Sequence, residues 1–308
     1  MSGSAVTGWG TALPPTIVTN ADLEARLDTS DTWITERTGI RERRVGGSTG
    51  ELAVLAGRAA LDRAGLTGND IDLLVLATTT PDQLVPATSA DLQQQLGTRG
   101  GAFDLNAACA GFVYALVVAN ALLGTGTTRA LVVASDTLSG ITDQEDRSTA
   151  VLFGDGAGAV VLEEVAGEGR LLSWDLGADG SALPLLYCDH GGFLKMEGQE
   201  VFRRAVRAMV DSARTALEGA KATVADVALW VPHQANLRMI EAANSRLGLP
   251  LERTSIVLDR TGNTSSASIP LALAEAADDG RIQPGDLVLL SGFGAGMTWA
   301  SAVLRWGP

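Results

Sequence analysis

The chain has 308 residues, 46% of them hydrophobic, enough to bury a sizeable core and, by length alone, to form two domain-sized units. A formal net charge of −13 weighs against nucleic acid as a partner, because such binding rests on a basic surface that neutralises phosphates. With only two cysteines, Cys109 and Cys188, the chain is no disulfide-stapled scaffold; a reducing compartment, the cytoplasm, is expected.

In chain order, the opening MSGSAVTGWG has no basic stretch followed by an apolar core, so no secretory signal is expected. A helical pattern over 51–64 precedes strand-like runs at 73–77 and 130–134. Between those strands, residues 105–128 carry no charge and are long enough to span a bilayer. Asn106, Asn120, several glycines and the absence of a basic flank favour instead the centre of a large folded core, and no membrane partner is expected. Helical patterns at 201–217 and 237–247 then alternate with strands at 227–231 and 287–290, which argues for α/β layers.

Two motifs carry less than they promise. FGDGAGAVVL, at 153–162, looks like a dinucleotide-binding glycine run, but its glycines lead into a strand, whereas a phosphate loop needs a helix there. Cys188 and His190 in YCDHGG lack any distant partner for a metal. Neither metal nor resident cofactor is expected.

A weak internal repeat is more informative. Sliding the chain by 156 positions sets Asp70 on Asp226, Leu73 on Leu229, Val75 on Val231, Gly124 on Gly280, Leu131 on Leu287 and Ser135 on Ser291, and upstream Arg58 on Arg214. An ungapped register through several elements indicates duplication of one structural unit. The expected halves are 1–166, carrying Cys109, and 167–308, carrying His233 and Asn263, joined in the glycine-rich VAGEGR. The same offset places Cys109 on Ser265 and Ala77 on His233, so the reactive residue types occupy strand-to-helix junctions, where ligands commonly sit.

Cys109 follows the strand-like GAFDL at the start of a helix, where the helix dipole and free amides are expected to favour the thiolate. His233 lies between a strand and a helix in LWVPHQANLRMI, and Asn263 stands at a glycine turn in RTGNTSSASIP. Each residue has a bland alternative: a structural cysteine, a capping histidine, a turn asparagine. Together they suit a nucleophile, a proton-handling group and a hydrogen-bond donor.

The segments DTSDTWITERTGIRERR, AACAGFVYAL, DRSTAVLFGDGAGAVVL, VPHQANLR, GNTSSASIP and GFGAGMTWASAVLRW, in that order, make the chain resemble ketoacyl-ACP synthase III of the thiolase superfamily over essentially its whole length. The resemblance implies a five-layered αβαβα fold of two duplicated halves, a homodimer, and a catalytic triad of Cys109, His233 and Asn263. It implies an acyltransferase that condenses a short or branched acyl-CoA with malonyl-ACP, losing carbon dioxide and initiating fatty acid or polyketide synthesis. The backbone amides of Cys109 and Ala295 are the implied oxyanion donors. Trp33, Arg37, Arg147, Phe202 and Arg238 match coenzyme A contacts, Gln234 and Arg238 the carrier-protein contacts, and Val85 and Leu138 the acyl pocket. Arg203, Arg204 and Arg207 offer a further basic landing patch. The segment 178–198 is shorter than is usual in the family, Gln199 replaces a common Asn, and Val85 replaces a bulkier aromatic that reaches across the dimer.

Rival readings have specific gaps. Thiolase needs a second cysteine where this chain has Phe293, elongating synthases use two histidines, and plant-type polyketide synthases are longer. A relative that passes its acyl group to oxygen or nitrogen, or primes a polyketide, fits the same residues. Papain-like proteases share the order Cys, His, Asn but not the duplication or the segment around the cysteine. A noncatalytic binding protein on the same fold would have little use for all three residues.

Overall fold

The computed structural model describes residues 3–167 and 169–307. Five strands form the first sheet: β1 (Gly3–Ala12), β2 (Leu73–Ala77), β3 (Gly101–Leu105), β4 (Arg129–Thr137) and β5 (Asp155–Val165), ordered β1-β5-β4-β2-β3. The second sheet contains β6 (Leu171–Ala178), β7 (Val227–Pro232), β8 (Leu287–Gly294) and β9 (Thr298–Arg305), ordered β7-β8-β9-β6. The pairings repeat: β2 lies parallel to β4 as β7 does to β8, and β4 is antiparallel to β5 as β8 is to β9. Where the first sheet adds β3, the second has a single parallel bridge, Trp230 to Thr254.

Alternation along the strands sets the layers, because successive side chains point to opposite faces. Val75, Ala77, Val132 and Ala134 of the first sheet, and Leu229, Val231, Val288 and Leu290 of the second, point inward to one shared core. That core is filled by two central helices, Gly111–Leu122 and Ser268–Asp278. On the outer face, Leu74, Leu76, Leu131 and Val133 cover the helix Thr49–Ala64. Val227, Trp230, Leu289 and Val303 cover the helices Gly198–Gly219 and Leu237–Leu247. The result is the five-layered αβαβα arrangement.

The charge-free stretch at 105–128 thus runs from the last residue of β3 into a central helix of 12 residues, free of charge because it packs between both sheets. Among the described residues no helix is long and apolar enough to cross a membrane. The duplication reaches detail: Thr67 and Asp70 cap the turn before β2, and Thr223 and Asp226 cap the turn before β7, each with a backbone N–H bonded to the carboxylate at 2.8 Å.

Since Phe112 is fully buried between the two sheets, Phe112→Ala is expected to lower the unfolding free energy by about 3–5 kcal/mol. Urea denaturation checks this, and a change below about 1 kcal/mol would contradict a core shared by both sheets.

Candidate active site

Cys109 sits in a single 3-10 turn, Ala108–Ala110, immediately before the first central helix. Asn106 shapes that turn by accepting from Ala108 N–H at 3.1 Å, with Ala108 in the left-handed region at φ 48°. The second half builds the same turn: Asn263 Oδ1 accepts from Ser265 N–H at 2.9 Å, and Ser265 has φ 51°. Backbone geometry therefore matches Ala108 to Ser265, one residue out of the 156-residue register. The residue facing Cys109 is nonetheless Ser265, whose Oγ donates to Cys109 Sγ at 3.4 Å.

Several elements converge here. The end of β8 presses on the cysteine turn so closely that a Cβ at Gly294 would stand 2.5 Å from the Cys109 nitrogen. Asn263 is gripped by the first half's glycine run, its N–H on Leu152 O at 2.9 Å and its carbonyl accepting from Gly154 N–H at 3.0 Å. Those glycines serve close backbone packing, as a Cβ at Gly154 would meet Thr261 O at 2.4 Å. With Asn263 Oδ1 committed to Ser265, the amide's Nδ2 donors have no protein partner among the described residues.

His233 follows β7 and is buried. Its Nδ1 lies 2.7 Å from Ser268 Oγ, which itself accepts from Gln234 N–H. With the Ser268 hydroxyl donating to Nδ1, the imidazole proton lies on Nε2. Burial holds His233 down at about 3, against a backbone hydrogen bond at Ser265 acting the other way, so the ring is neutral at physiological pH.

Burial works against the acidity expected of Cys109 at a helix N-terminus. Burial pushes the thiol up to about 12, the charge of Asp136 adds to the rise, and only the Ser265 hydroxyl and the cysteine's own amide oppose it. Removing the charged form from water is the largest of these effects.

Cys109, His233 and Asn263 line one cavity of about 570 Å³, the size of a small-molecule site. Its walls are mostly apolar, with Leu138, Leu186, Met196 and Phe202 prominent, and Ala295 and Gly296 join at the end of β8. Thr298 Oγ1 lies 2.8 Å from Ala107 O and 3.2 Å from Ala295 O, tying the loops that carry the Cys109 and Ala295 amides. The short segment 178–198 supplies wall residue Leu183 from the 3-10 turns of Gly180–Leu185, and Leu186 and Leu194 from the hairpin of Leu186–Tyr187 with Lys195–Met196 and its loop.

A neighbouring cavity is lined by Trp33, Arg37, Gln199 and Arg238, and it shares Phe202 and Asn236 with the first. Arg37 and Arg147 lie 5.4 and 5.0 Å from the centre of the Trp33 ring, a cation–π arrangement on a half-buried indole.

Gln234 is corrected. It is 0% exposed, its Nε2 donating to Pro232 O and Ser255 O and its Oε1 accepting from Val257 and Leu258 N–H. A side chain spent on four backbone groups is an internal strut and has no surface for a carrier protein. Arg203, Arg204 and Arg207 are paired with Glu200, Asp179 and Asp211, so their helix face carries little net positive charge. Val85 does not line its own chain's cavity; it is 85% exposed on the loop between β2 and the helix Thr88–Leu96. Cys188 borders the cavity with its thiol 3.4 Å from Gly192 O, and no cluster of three metal-ligating side chains occurs among the described residues.

Two family models match: 3-oxoacyl-ACP synthase III over residues 103–180 and its C-terminal region over 217–306. The chain is 49% identical to the β-ketoacyl-ACP synthase III of Sinorhizobium medicae, across 99% of this chain and 100% of that protein. It belongs to the synthase III family. Among solved structures, the 3-oxoacyl-ACP synthase III of Aquifex aeolicus superposes with a TM-score of 0.97 at 43% identity, covering 99% of this chain and 100% of that one. The priming β-ketosynthase of the R1128 polyketide pathway gives 0.95 at 39% identity, covering 99% and 96%. This synthase III chain therefore carries the thiolase-like fold with its candidate triad residues around a single cavity.

Replacing Gln234 by Leu strands buried backbone groups at about 1–3 kcal/mol each, so stability is expected to drop by at least about 2 kcal/mol. Denaturant unfolding measures it. A fully stable variant that binds carrier protein more weakly would restore Gln234 as a docking residue.

Proposed function

We propose that the chain starts acyl-chain synthesis by transferring a short or branched acyl group from coenzyme A to Cys109 and then condensing it with malonyl-ACP. The observation that carries this reading is the single apolar cavity onto which Cys109, His233 and Asn263 all open.

The Cys109 thiolate attacks the thioester carbonyl, and the resulting oxyanion is stabilised by the amides of Cys109 and Ala295. Coenzyme A leaves as its thiol, carrying the proton that Cys109 gave up. Malonyl-ACP enters next, and loss of carbon dioxide leaves an enolate whose oxygen needs donors. His233 Nε2–H and Asn263 Nδ2–H supply them, and the imidazole can do so without becoming charged because burial keeps it neutral. The enolate carbon attacks the acyl-Cys carbonyl, giving β-ketoacyl-ACP and the Cys109 thiolate, which takes a proton from water to restore the resting thiol.

The neighbouring cavity suits the nucleotide end of coenzyme A: Trp33 offers a face for adenine, and Arg37, Arg147 and Arg238 offer cations for phosphates. Phe202, common to both cavities, lies on the route of the pantetheine arm. Arg238, which has no carboxylate partner among the described residues, is the better candidate for an acidic carrier protein. A homodimer would let the exposed Val85 close the partner's acyl pocket opposite Leu138, and the small valine leaves room for primers longer than acetyl. Two unpaired thiols suit the cytoplasm.

Mass spectrometry after incubation with acyl-CoA is expected to find one acyl adduct on Cys109, absent in Cys109→Ser, forming at least as fast from isobutyryl- or hexanoyl-CoA as from acetyl-CoA. No adduct would sink the acyltransferase reading. An adduct from acetyl-CoA alone would sink only the primer assignment.

A further inference from the structure

We propose that Ser265 is a further catalytic residue: its hydroxyl donates to the Cys109 sulfur and stabilises the thiolate that attacks the acyl thioester. This rests on Cys109 being the nucleophile of the reaction proposed above.

The geometry comes first. Ser265 is 1% exposed, and its Oγ lies 3.4 Å from Cys109 Sγ, within the longer range of hydrogen bonds to sulfur. The backbone there has φ 51°, a left-handed conformation that costs a non-glycine residue about 1–3 kcal/mol. Glycine would occupy this turn without strain, and the matching turn of the first half manages with Ala108, which carries no hydroxyl. A serine at the strained position thus contributes what neither alternative has, an O–H aimed at the reacting atom.

The surroundings hold it in place. Ser265 N–H is fixed on Asn263 Oδ1, and the next residue, Ser266, donates N–H and Oγ–H to Asp136 Oδ2 at 2.9 and 2.5 Å. The other oxygen of Asp136 accepts from Thr79 N–H at 2.7 Å and from the Thr79 and Thr78 hydroxyls at 2.9 and 3.1 Å. Asp136 is 0% exposed and belongs to β4, so a first-half carboxylate clamps the second-half turn from below.

Chemistry supplies the need. Among the described residues that line the cavity none is Lys or Arg, His233 is neutral, and the charge of Asp136 acts against a thiolate at Cys109. In papain-like arrangements an imidazolium pairs with the thiolate, whereas here the Ser265 hydroxyl and the cysteine's own amide favour it at the start of the central helix. During acylation Ser265 keeps its proton throughout. The Cys109 proton ends on the departing coenzyme A thiol, one S–C bond forms to Cys109 and one breaks to coenzyme A.

Two variants separate this role from a structural one. Ser265→Gly removes the hydroxyl and relieves the backbone strain, while Ser265→Ala removes the hydroxyl and keeps the strain. The readout is the rate of iodoacetamide alkylation of the Cys109 peptide against pH, followed by mass spectrometry because the exposed Cys188 also reacts. Both variants are expected to alkylate about tenfold more slowly at a given pH, a rise of about one unit in the thiol's midpoint, with Ser265→Gly at least as stable as the parent in urea. Acylation by acyl-CoA should slow by a similar factor. Alkylation profiles that coincide with the parent's overturn the proposal, even if stability changes. Because alkylation needs no acyl-CoA, failure here with a normal acyl adduct on Cys109 would leave the proposed function standing.

Discussion

Cys109 and Ser265 stand on turns from opposite halves of the chain with sulfur and hydroxyl 3.4 Å apart, and that contact exists only because the helices behind them are packed together between two sheets. Each helix start carries small residues, which allow the turns to approach. Gly294 admits the cysteine turn against β8, and Ser266 reaches back to Asp136 on β4. The site is thus a product of the apolar central layer: loosen that layer and the sulfur, imidazole and carboxamide no longer share a cavity.

Burial has an electrostatic consequence. It raises the thiol to about 12 and lowers the imidazole to about 3, so both groups rest uncharged. For the thiol this is a handicap, offset by donors placed within reach of sulfur. For the histidine it leaves a neutral ring that does not pair with the thiolate, as the proposed role toward an enolate oxygen requires. Charge is kept to the outer cavity, where Arg37 and Arg238 are exposed and suited to phosphates.

Much of this was legible in the sequence. The alternation of apolar strand-like runs with helical patterns points to α/β layers and the repeat at 156 residues to two halves, while the five-layered arrangement follows from the resemblance to the synthase III family. Other features lay beyond that signal. A one-residue slip at the site is invisible to apolar matching, yet it makes Ser265 the residue facing the sulfur and Ser266 the backbone counterpart of Cys109. Gln234, beside the histidine, looked available to a partner, but its carboxamide is consumed by backbone groups brought from residues 255–258. A helix start points to acidity at Cys109, whereas desolvation, which depends on everything packed around the turn, acts against it. Similarly, Asp179 and Asp211 neutralise arginines that read as a basic patch, and the pairing with Asp179 crosses from another element. Asp136 gave no motif at all; its importance lies in hydrogen bonds from residues 58 positions before and 130 after it.

The most direct test of the central claim is a crystal structure of the enzyme acylated from hexanoyl-CoA. The two-half geometry predicts a thioester on Cys109 with its carbonyl oxygen about 2.7–3.1 Å from the amides of Cys109 and Ala295, the chain lying against Leu138, and His233 and Asn263 facing the vacant malonyl side. A thioester oxygen turned away from both amides, or an acyl chain lying outside the cavity, would contradict it.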